Sequence, residues 1–168
     1  MKIFALLMTT SFFMGAAARA ATSNETPATL PDAQSLIEVV AAADAIVAAF
    51  GRHDPKAYFA LFASEATFVF HTTPRRLDSR ADYEAEWAKW EKDDGFRVRS
   101  CRSTNQKAQL FGDVAVFSHS TRTELSTKQG DDILLERETI VFHRRGGKWV
   151  AVHEHVSPHP VQASVDKE

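Results

Sequence analysis

From Phe96 onward apolar and polar residues alternate in four long runs, roughly Phe96 to Phe111, Val114 to Ser126, Ile133 to His143 and Trp149 to Ser157. Period-two alternation over such lengths demands a sheet with one buried face. The breaks at Gly112-Asp113, Gln129-Gly130-Asp131 and Gly146-Gly147 suit hairpin turns, so the runs form an antiparallel meander. A sheet with one apolar face needs a second layer against it, and the preceding residues must supply that layer.

They do so with helical patterns. Between Gln34 and Phe50 the residues Leu36, Ile37, Val40, Ala43, Val47 and Phe50 recur at three and four, and Gly51 can end the helix. Asp54-Pro55 reads as an N-cap and first-turn proline for a short second helix carrying Tyr58, Phe59, Leu61 and Phe62. Thr67 to His71 is β-branched and aromatic, a strand that runs into a turn at Thr73-Pro74. Ser79 with Asp82 then resembles a capping arrangement and opens a third helix, whose Tyr83, Trp87 and Trp90 form one aromatic stripe. The expected class is α+β, with three N-terminal helices packed on a curved, mainly antiparallel sheet.

Residues 1–20 have a lysine at Lys2, an apolar stretch from Ile3 to Met14 and an Ala18-Arg19-Ala20 end, the pattern of a secretory signal peptide. Residues 21–32 read as a flexible linker, 33–160 as the domain and 161–168 as a frayed tail. The expected location is periplasmic or secreted, with no membrane attachment after cleavage. Without Lys2 and Arg19 the chain keeps 18 basic against 22 acidic residues, a net charge of about −4, which leaves no basic face for nucleic acid. Cys101 is the one cysteine, so no internal disulfide can form. Its thiol is either buried and inert or able to pair between chains.

In the run Arg137 to Pro158, Glu138, Thr139, Val141, Phe142, His143, Arg144, Arg145, Gly147, Lys148, Trp149, Val152, His153, His155 and Ser157 match the last hairpin of SnoaL-like domains. The same run is similar to the association domain of calcium/calmodulin-dependent kinase II. The resemblance, covering roughly Gln34 to Pro158, implies the cone-shaped nuclear transport factor 2-like fold, with a cavity between sheet and helices and a homodimer formed through the outer sheet face. It does not choose an activity, because fold alone does not. Two arginines of the kinase domain's pocket correspond here to Ile140 and Val156, so that anionic-ligand pocket is not carried over.

By parity with the same match, Glu138, Ile140, Phe142, Val150, Val152, Glu154 and Val156 face the cavity, while Trp149, Ala151, His153 and His155 face away. His119 falls inward with Phe117 and Thr121, and His71 lies at the cavity mouth. The expected catalytic residues are His119 and His71, as general acid or base with Glu154 or Glu138 as orienter. The expected ligand-binding residues are Tyr83, Trp87, Phe117, Glu138, Phe142 and Glu154. His153 and His155, with His159, could share a metal, but without a third ligand and a cavity they read as a sheet motif, and no metal or cofactor is expected. Arg122 and Arg137 could bind a carboxylate, and otherwise pair with Glu124, Glu136 or Glu138 across the ladder.

The function that follows is an exported domain binding a small, largely apolar molecule, with or without cofactor-free acid-base chemistry of the isomerase, dehydratase or cyclase type. The alternatives are a non-catalytic oligomerisation module and a histidine-ligated metalloprotein. Export has a direct check: intact mass of the protein recovered from its own host should correspond to a chain starting at Ala21. A chain that retains Met1 to Ala20 would refute it.

Overall fold

A computed structural model describes residues 30–159. The leader, most of the linker and the tail lie outside them. The order is α1 (Leu30–Gly51), α2 (Pro55–Phe59), β1 (Phe62–Phe70), α3 (Arg80–Lys89), a π-helical turn (Trp90–Asp94), β2 (Arg97–Phe111), β3 (Val114–Thr127), β4 (Gly130–Arg145) and β5 (Lys148–Pro158). The strands form one sheet in the order β1-β5-β4-β3-β2, antiparallel except that β1 runs parallel to β5. Among the described residues there are three α-helices, and β1 separates the second from the third.

Local chemistry sets these boundaries. The Asp54 side chain accepts from the Ala57 amide at 3.0 Å, and Pro55 supplies a first-turn residue with no amide to satisfy. Ser79 accepts from the Asp82 amide at 3.0 Å, while the Asp82 carboxylate reaches back to the Asp78 amide at 3.2 Å. A glutamate at that position would reach the cap residue's own amide; the shorter aspartate closes on the residue before it. At the end of α1, Gly51 passes so close to β2 that a Cβ would stand 3.0 Å from the Cys101 nitrogen. A side chain there would press on the β2 backbone, which must give way by a few tenths of an ångström to admit it.

α1 begins at Leu30, earlier than its apolar periodicity indicates, and its buried line is Ser35, Val39, Ala43, Ile46 and Ala49. The expected stripe is therefore rotated by about one position: Ile37 is 64% exposed. In an alanine-rich helix the small residues Ala43 and Ala49 can approach the sheet more closely than isoleucine can, and close approach sets the face. By length and composition Asp32–Gly51, with mean hydropathy 1.6, could also cross a bilayer. Here it packs on β2 and β3.

Phe62 starts β1 instead of extending α2, and its ring meets Tyr58 at 5.1 Å and Phe68 at 5.2 Å. A contiguous aromatic cluster results, with Phe59, Phe70, Tyr83 and Trp87 completing it; Phe59 and Tyr83 meet edge to face, 5.0 Å apart and 87° inclined. Such pairs add about 0.5–1.5 kcal/mol beyond the area they bury.

On β5 the register shifts between Val141↔His153 and Phe142↔Ala151, which leaves Val152 as an extra residue. This bulge corrects the expected parity: Trp149 and Ala151 are buried at 9% and 0% exposure, beside Phe142. Val150 and Val152 are only half-buried. Beyond the bulge parity is restored, with Glu154 buried and His155 exposed.

Phe68 is fully buried in the aromatic cluster, whereas Phe111 is 62% exposed at the end of β2. Phe68→Ala should cost about 3–5 kcal/mol in denaturant unfolding, and Phe111→Ala less than about 0.5 kcal/mol. Equal costs would contradict the packing described.

Candidate functional site

Three neighbouring strands each aim a polar side chain at the helix-covered face of the sheet. His119 on β3 stands directly across from Glu138 on β4, and Glu154 on β5 is the diagonal neighbour of Glu138. All three are buried, at 4%, 9% and 4% exposure. From the helical layer the Tyr58 hydroxyl donates to the Glu154 carboxyl at 2.9 and 3.1 Å. On the other side the Ser103 hydroxyl lies 2.7 Å from His119 Nδ1. His119 Nε2 lies 3.1 Å from Glu138 Oε2 but off the line of a hydrogen bond, and has no other partner among the described residues.

Burial dominates the electrostatics. It raises the Glu138 carboxyl to about 7, with the Glu154 hydrogen bond opposing and the charge of Glu136 reinforcing the rise. Burial and then the nearby Glu138 charge push Glu154 well above the usual carboxylate range, so Glu154 is the partner that keeps a proton and donates it to Glu138. The same burial lowers His119 to about 4, leaving a neutral imidazole at neutral pH. Tyr58 is held protonated by burial and by Glu154. The pair therefore keeps a proton into the neutral range, which suits it to giving and taking one.

Glu138, Glu154 and Tyr58 line a cavity of about 330 Å³ that opens toward the β3–β4 hairpin. Its wall is mainly aromatic and aliphatic, with Phe50, Phe70, Tyr83, Trp90 and Phe96 prominent. The rim is fastened to that hairpin. The Lys128 amide donates to the Asp94 carbonyl at 2.7 Å, and its ammonium donates to the carbonyls of Lys92 and Asp93 at 3.0 and 2.8 Å. Gly95, at φ +66, ends the π-helical turn where Lys128 packs. The turn itself carries Trp90 into the wall.

Of the residues expected to bind a ligand, Tyr83, Glu138 and Glu154 line the cavity. Trp87, Phe117 and Phe142 do not: they are core residues behind it, and Trp87 Nε1 donates to Glu91 at 2.8 Å. His119 points inward as expected, yet Glu138 separates it from the cavity, so it touches the carboxyl pair and not the space a ligand would fill. His71 lines the rim, 2.7 Å from Glu136. Ile140 is buried and Val156 lines the wall, as parity predicts for both.

His153 Nδ1 is 2.8 Å from the Thr67 hydroxyl, and His155 is exposed on the outer face. Among the described residues no group of three or more histidine, cysteine or acidic side chains is arranged to hold a metal. Arg122 pairs with Glu124 along its own strand, and Arg137 is exposed. Burial pushes the Cys101 thiol up to about 11, beside Thr123, which suits an inert thiol.

Sequence reasoning missed Tyr58, because it lies 96 residues from Glu154 in a helix of only 5 residues whose faces show no period. It also missed Ser103, which joins His119 only through the β2–β3 pairing.

The raised Glu138 value has a sign that stability can report. Glu138 binds its proton more tightly folded than unfolded, so its contribution falls as pH rises from 4.5 to about 7. His119 acts oppositely, with stability lost as pH falls from 6.5 toward about 4. Glu138→Gln removes the first effect and lessens the like-signed one at Glu154. Its Tm relative to the parent protein should be more favourable at pH 8 than at pH 5, and a pH-independent difference would show that Glu138 is not protonated by burial.

The SnoaL-like domain family matches residues 39–162. No curated protein matches the chain significantly in sequence. Solved structures share the fold. A nuclear transport factor 2-like superfamily protein from Salmonella enterica serovar Typhimurium has a TM-score of 0.68 at 14% identity, over 81% of this chain and 99% of that one. A ketosteroid isomerase-like protein from Erwinia carotovora atroseptica has 0.65 at 18% identity, over 76% and 98%. A protein from Xanthomonas campestris named for the calcium/calmodulin dependent protein kinase II association domain has 0.62 at 23% identity, over 73% and 86%. At these identities the structures speak for the fold alone, and it is the family match, over most of the chain, that identifies it: the protein belongs to the SnoaL-like domain family.

Proposed function

We propose that this chain is an exported SnoaL-like domain, working as a homodimer, that binds a small, largely apolar molecule in its cavity and moves a proton on it without a cofactor. The observation that carries this reading is the carboxyl pair Glu138 and Glu154, buried at the inner end of an aromatic cavity with Tyr58 donating to it. In the reaction Glu138, as carboxylate, takes a proton from a carbon of the ligand. The electron pair left behind moves onto a conjugated oxygen, which Tyr58 or protonated Glu154 stabilises by hydrogen bonding. Glu138 then returns the proton to another carbon, or to a leaving hydroxyl, so the net change is isomerisation or dehydration.

In this reading His119 is a positioning residue. Neutral and held by Ser103, it packs against Glu138 and fixes the carboxyl's direction without reaching the ligand. His71 sits at the rim with Glu136, where it contacts an entering molecule before the pair does. The isomerase-like name of one protein of the same fold agrees with this class of chemistry.

Native mass spectrometry of the protein purified from its own host tests the binding. A bound small molecule should accompany the parent protein and be absent from Val156→Trp, which fills the cavity wall. Returned to the parent protein in D2O, that molecule should exchange a carbon-bound proton about 100-fold faster than with Glu138→Gln. A protein that is empty in both forms would overturn binding; equal exchange rates would overturn the proton transfer.

A further inference from the structure

The acidic side chains around the cavity have no lysine or arginine to balance them. Asp94, Asp132 and Glu136 stand toward the rim and Glu138 and Glu154 at the inner end, while no lysine or arginine is among the lining residues. The one basic group there, His71, already faces Glu136 at 2.7 Å. The positions where the resemblance places pocket arginines hold Ile140 and Val156. No lysine or arginine in the lining would pair with an entering anion.

Much of the remaining wall is ring surface, with aliphatic side chains between. Phe50, Tyr58, Phe70, Tyr83, Trp90 and Phe96 all line the same space. Aromatic faces carry negative charge density and attract a cation that has shed its water, most strongly when the site is closed from solvent. A neutral apolar ligand would use the rings but would cover rim carboxylates without giving them a partner, which is unfavourable. A cation attached to an apolar body satisfies both surfaces.

We propose that the cavity takes an organic cation, a protonated or quaternary amine carrying one ring-sized apolar group, with its nitrogen held between the aromatic faces and the Glu138–Glu154 pair. This deepens the preceding reading of the cavity and rests on it. It also sets a direction for pH. A positive charge beside Glu138 and Glu154 favours their ionised forms, so binding expels a proton and tightens as pH rises through neutrality. The groups facing the pair are Tyr58 from α2, Tyr83 from α3, His119 from β3 and Glu136 from β4, with His71 after β1 and Asp44 of α1 near His119. Tyr58 and Tyr83 are held protonated and His119 neutral over this range, so none of these three masks the effect.

Phenyltrimethylammonium and tert-butylbenzene have the same shape, and only the first is charged, at every pH. Their binding to the mature chain, followed by NMR or calorimetry at pH 6, 7 and 8, tests the proposal. The cation should bind at least about tenfold tighter than the hydrocarbon at pH 8. It should also weaken severalfold toward pH 6, and His71→Gln should retain that trend. Equal or tighter binding of tert-butylbenzene overturns the cation proposal and leaves the cavity reading standing. Binding of neither probe overturns both.

Discussion

The long strands must bury one face, and the helical layer is too short to cover all of it. β4 has 16 residues, about 50 Å of strand, whereas the 22 residues of α1 make a helix of about 33 Å and α3 is shorter still. Beyond the helices the β3–β4 hairpin projects, with Ile133 and Leu135 half-exposed on its outer side. The space between that projecting end and the helices is the cavity, and the π-helical turn after α3 bends Trp90 and Asp94 toward it. The cavity is thus a consequence of unequal element lengths, roofed at one side by the Lys128 contacts to that turn.

That geometry explains why acidic groups can be buried here at all. An isolated carboxylate in an apolar core is strongly disfavoured, and the usual outcome is protonation. Glu154 follows that course, held by Tyr58, while Glu138 accepts from it and is itself raised by burial. His119 fills the remaining side as a neutral ring instead of as a counter-ion. The row Ser103, His119, Glu138, Glu154, Tyr58 crosses four strands and a helix, so its proton-holding behaviour belongs to the assembled layers and not to any one segment.

Residues that act within a few positions of one another were legible early. The caps at Asp54 and Ser79, the hairpin breaks and the four alternating runs each depend on neighbours in sequence, and the elements begin and end within a few residues of those signals. The inward direction of His119, Glu138 and Glu154 followed from alternation anchored by the family resemblance. Alternation failed at Val152, because a bulge inserts a residue against β4 without any glycine or proline to mark it, and so Trp149 and Ala151 changed faces. The stripe of α1 was misplaced for a related reason: with alanine on every side, hydrophobicity does not single out one face, and the distance to the sheet does.

The amino-acid order alone determined the succession of helices and strands, the sign of the charge, the family pattern between Arg137 and Pro158 and the absence of arginine at Ile140 and Val156. These are properties of local propensity and residue identity. Which polar groups meet, and which of them see the cavity, was decided only by the tertiary structure. Tyr58 reaches Glu154 across 96 positions, and Glu138 stands between His119 and the open space. Burial is a property of the packed layers, and burial is what turns Glu138 and Glu154 from ordinary carboxylates into a proton-holding pair.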